Sequence, residues 1–85
     1  MPYIPEERRR EFDKFHVSKL AQEIENCGEL NYVITHIILD YVFFHGEKYQ
    51  SYNDILGALD GARLELYRRH IASYEDKKIA ENGDV

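Results

Sequence analysis

The run from Leu30 to Phe44, LNYVITHIILDYVFF, limits what this chain can fold into more than any other stretch, because no other segment carries enough apolar surface to seed a core. Leu30, Ile34, Ile37, Ile38, Tyr41 and Phe44 recur at spacings of three and four and share one side of a helix. Asn31, Tyr32, Thr35, His36 and Asp40 fall on the other side. Past His36 the pattern changes: Leu39, Val42 and Phe43 enter the polar arc, and a helix that is apolar nearly all round is one that is buried on more than one side.

The rest of the chain arranges itself around that helix. Pro5 suits the first turn of a helix, and Glu6 and Glu7 complement its positive end. Phe12, His16, Leu20, Ile24 and Cys27 continue as one apolar stripe, with Gly28 as the stop. The central helix then ends at Gly46. Ser51, with Asp54 three residues later, approximates a capping box for a third helix whose inward stripe is Ile55, Leu59, Ala62 and Leu66. Ser73 is a place for a kink or new cap, and the charged run from Tyr74 is helix-compatible up to Asn82 and Gly83. The expectation is a single all-α domain over residues 1–85, bundle-like, with helices near 5–27, 29–45 and 51–73 and a helical tail over 74–85.

Eighty-five residues hide only roughly 60% of the surface that the unfolded chain exposes, so a domain of this size is marginal without added support. The lone Cys27 forms no intrachain disulfide, and no Cys/His spacing suits zinc, which leaves oligomerisation as the common support. Gly57 and Gly61 point the same way. Inside a helix each costs about 1 kcal/mol relative to alanine, and with Ala58 and Ala62 they make a smooth strip for close helix approach or ligand clearance. Leu39, Val42, Phe43, Gly57 and Gly61 are therefore the expected interface of a homo-oligomer, most simply a dimer.

A net charge of −5 argues against extended nucleic-acid binding by phosphate neutralisation. The charged N-terminus MPYIPEERRR offers no signal-peptide apolar run, the central helix is too short and too interrupted to span a membrane, and the lone thiol suits a reduced interior, so a cytoplasmic protein is expected. No nucleophile elbow, phosphate loop or cofactor motif is present, and Cys27 stands at the wrong helix end for a reactive thiolate. His36 and Asp40, one turn apart, lack the partners of a metal site and read as a polar pair. Glu6, Glu7, Glu11 and Glu29 do not reproduce the register of an all-α magnesium pyrophosphatase, which leaves a metal-dependent nucleotide hydrolase as the weakest of the function classes. The constellation that most suggests binding is Tyr67, Arg68, Arg69 and Tyr74, with His36 and Tyr32 on the central helix and Tyr52 and Asn53 at the start of the third. Rings stack and guanidinium forks hold phosphate or carboxylate, although tyrosines at helical spacing also serve as core-edge residues.

MPYI at the start, GELNYVIT at 28–35, the Tyr52-Asn53 to Gly57 segment, ELYRR at 65–69 and YEDKKIAENGDV at 74–85 resemble an uncharacterised family of short proteins from bacteriophages, prophages and their bacterial hosts. The resemblance covers nearly the whole chain and departs where relatives often carry a proline before Tyr-Glu-Asp, here Ser73. It implies context alone: a small accessory protein of mobile or viral DNA in the bacterial cytoplasm. The combined expectation is a non-enzymatic interaction protein that binds a host protein or modulates a host process, defence among them. The alternative is a protein that binds or sequesters a nucleotide signal through the Tyr/Arg cluster at an oligomer interface.

Overall fold

The computed structural model describes residues 4–84, and these are all-α, with no strand among them. The order is α1 (Glu6–Asp13), α2 (Val17–Glu23), α3 (Cys27–His45), α4 (Tyr49–Leu66), a π-helical turn (Tyr67–Ile71) and α5 (Ala72–Asn82). Two compact units divide the chain, Met1–Tyr52 and Asn53–Val85. The first three residues of the MPYI motif and the last residue of the expected tail lie outside the described residues.

In the first unit, Pro5 precedes α1 with extended backbone, and its carbonyl accepts from the amides of Arg8 and Arg9. Glu6 and Arg10 pair at 2.8 Å across one turn, Arg8 pairs with Glu11, and the Arg8 guanidinium lies 4.5 Å from the Phe12 ring centre. The single helix expected over 5–27 is not formed. Three bonds of the tighter i to i+3 kind, from Lys14 to Glu11, Phe15 to Phe12 and His16 to Asp13, end α1, and His16 then takes left-handed backbone (φ 55°, ψ 48°) before α2 starts. That conformation costs an L-residue about 1–2 kcal/mol. The stripe has helical spacing throughout, but an apolar stripe holds a helix together by packing, and short helices without it are marginal in water.

Gly28 is not the stop either. Ile24 leaves the helical region (ψ 121°), and Asn26 caps α3 by accepting from the Glu29 amide at 2.9 Å, while Glu29 reaches back to the Glu25 amide at 2.8 Å. A Cβ on Gly28 would stand 3.3 Å from the Asn26 side-chain oxygen Oδ1, so the glycine leaves room for the cap. α3 runs on to Gly46, whose φ of 91° ends it and whose amide bonds the Val42 carbonyl at 2.8 Å.

α4 begins at Tyr49, two residues before the expected cap. The Lys48 carbonyl takes the amides of Ser51 and Tyr52. Ser51, 2% exposed, instead turns its hydroxyl back to the Gly46 carbonyl at 2.7 Å and ties the α3–α4 corner. In the second unit, helical backbone continues through Ser73, so the expected kink is absent. The irregularity is the π turn, where the Ala72 amide bonds the Tyr67 carbonyl, one residue farther than in an α-helix. Gly83 (φ 87°) ends α5 by giving its amide to Ile79.

Among the described residues no hydrophobic side chain is buried, and Ser51 alone is.

Candidate functional site

The residues expected to bind a ligand lie in both units. Tyr32, His36 and Tyr52 belong to the first; Asn53, Tyr67, Arg68, Arg69 and Tyr74 to the second. Each group has its own local geometry.

On α3, the Tyr32 and His36 rings lie parallel (3°) with centres 6.1 Å apart, as residues four apart on a helix allow. His36 Nε2 then stands 3.4 Å from Asp40 Oδ2, with both side chains more than half exposed. The result is a surface row of Tyr32, His36 and Asp40. Among the described residues no three His, Cys, Asp or Glu side chains converge as metal ligands. Tyr52 is engaged separately. Its hydroxyl donates to Glu47 Oε2 at 2.6 Å, and that bond, with some desolvation and the carboxylate's charge, raises its pKa above the ordinary 10.0. Breaking the bond is part of ionising the phenol, which is why the shift is upward.

In the second unit, Glu65 is the residue that sequence reasoning missed. Half-buried at 23% side-chain exposure, it takes Arg69 Nε at 2.6 Å and faces Arg68 at 3.6 Å. Two guanidinium groups thus share one carboxylate and leave one net positive charge. The spacings of three and four residues from Glu65 were the signal that could have found it. Tyr67 and Tyr74 remain exposed on either side of the π turn's remainder, and Lys78 lies 5.4 Å from the Tyr74 ring centre. Asn53 sits on the first turns of α4, within the part of that helix assigned to the second unit.

The expected interface residues differ in placement. Val42 is half-buried, Leu39 and Phe43 are exposed, and Phe43 meets Phe44 edge-on with ring centres 5.1 Å apart. Phe43 and Phe44 are 78% and 76% exposed, which places two bare aromatic rings at the end of the most apolar helix. The helical period puts Phe44 on the core side, yet among the described residues it stays mostly uncovered. On α4, the space that a Cβ on Gly57 would enter is open, and Gly61 is half-buried.

The family model described as Domain of unknown function (DUF6899) matches residues 1–85, the whole chain. The chain belongs to the DUF6899 family. No curated protein and no solved structure matches it. Membership of DUF6899 agrees with the resemblance to an uncharacterised family and carries no chemistry to the site. Among the described residues, no helix is long and apolar enough to cross a membrane.

Proposed function

We propose that this chain is a small non-enzymatic interaction protein that completes its core against a second copy of itself. As a dimer it serves phage or other mobile DNA as an accessory factor in the bacterial cytoplasm, where it binds a host protein or modulates a host process such as defence. One observation carries the reading: a helix as apolar as α3 leaves Phe43, Phe44 and Leu39 bare, and no hydrophobic side chain among the described residues is buried. Soluble chains rarely leave apolar surface of that kind uncovered, and a two-fold pair of identical faces is the simplest cover. Gly57 adds to this, since an alanine would fit its open surroundings and cost less in a helix, unless another backbone comes close there.

Light scattering coupled to size exclusion tests the self-association: a dimer mass at micromolar concentration is expected, and a monomer across the accessible range rejects it. Affinity capture of the tagged protein from lysogenic cells then tests for a host partner.

The second reading is a binder of a nucleotide-like ligand. It is favoured by the exposed Tyr67 and Tyr74 rings beside two arginines that share one carboxylate. It ranks behind the first because Glu65 already takes Arg69 through Nε and partly neutralises Arg68, which weakens their pull on a phosphate. Glu65→Gln should then raise any thermal stabilisation by nucleotides, and a flat response in both proteins removes this reading. A metal-dependent hydrolase stands last, and metal analysis with nucleoside triphosphate turnover tests it.

A further inference from the structure

We draw no further inference here: the strongest candidate, the exposed apolar patch of Leu39, Phe43 and Phe44 on the C-terminal half of α3, belongs to the surface already described, and nothing in the structure shows what covers it.

Discussion

Two stretches of the first unit carry helical periodicity of similar length, and only one becomes a single helix. α3 runs unbroken from Cys27 to His45, whereas the pattern over residues 6–23 is cut at His16. Both have apolar residues at the right spacing. They differ in how their ends are specified and in how apolar they are. α3 has a side-chain cap at Asn26, a reciprocal contact from Glu29 and a glycine stop at Gly46, while α2 starts with no side-chain cap and ends at Ile24 in extended backbone. The two breaks are also unlike. Gly46 (φ 91°, ψ 144°) lies where essentially glycine alone goes, and His16 (φ 55°, ψ 48°) lies where a side chain is tolerated at a cost.

The sharpest way to break this contrast is to remove what makes α3 apolar outward. Phe43→Glu with Phe44→Glu should raise the dimer dissociation constant by at least about 100-fold, since each buried phenylalanine contributes roughly 1.5–3 kcal/mol. Circular dichroism should show the helices retained, and an unchanged mass by light scattering would exclude the end of α3 from the interface. Gly46→Ala comes next. A side chain at that φ and ψ should cost about 1–3 kcal/mol in thermal unfolding, and an alanine that melts with the parent would show that the corner is not held as described. Asn26→Ala should lose about 1 kcal/mol by removing the cap, with faster exchange of the Glu29 amide. The same substitution at the uncapped α2 start, Ser18→Ala, should leave stability within experimental error.

The smallest effect concerns Tyr52. Its ionisation is raised by the bond to Glu47, so whatever that bond contributes is present below the phenol's ordinary pKa of 10.0 and is lost as pH rises through the higher value of the folded chain. Glu47→Ala should bring the Tyr52 titration, followed by NMR of its ring carbon, down toward 10.0; an unmoved titration means the hydroxyl and carboxylate do not meet.

Much of the helical content was legible because hydrophobic period is a local signal. The helical character of α3, its glycine end and the Gly83 terminator were readable from residue type and spacing, whereas its start at Cys27 was not. Asn26 was equally readable, as Asn-Cys-Gly-Glu places an amide and a carboxylate at capping distance, but a glycine in the same stretch is just as good a sign of a helix end. Ser51 misled for a related reason: a serine before an apolar run suits a cap, and only the nearness of the Gly46 carbonyl across the corner redirects its hydroxyl. Of the binding cluster, the pairing of Arg68 and Arg69 with Glu65 was implicit in the spacing, while the π turn through Tyr67–Ile71 left no mark in composition.

By itself, the sequence determined that this chain is all-α and where its most apolar helix starts to crowd its own polar side, because periodicity and glycine stereochemistry act over a few residues. The three-dimensional structure decided that the stripe of residues 6–23 bends at His16, that Ser51 is the one buried side chain among the described residues, and that the rings of Phe43 and Phe44 stay bare. Those outcomes depend on what lies beside each helix, and burial is a property of neighbours in space that no local pattern encodes.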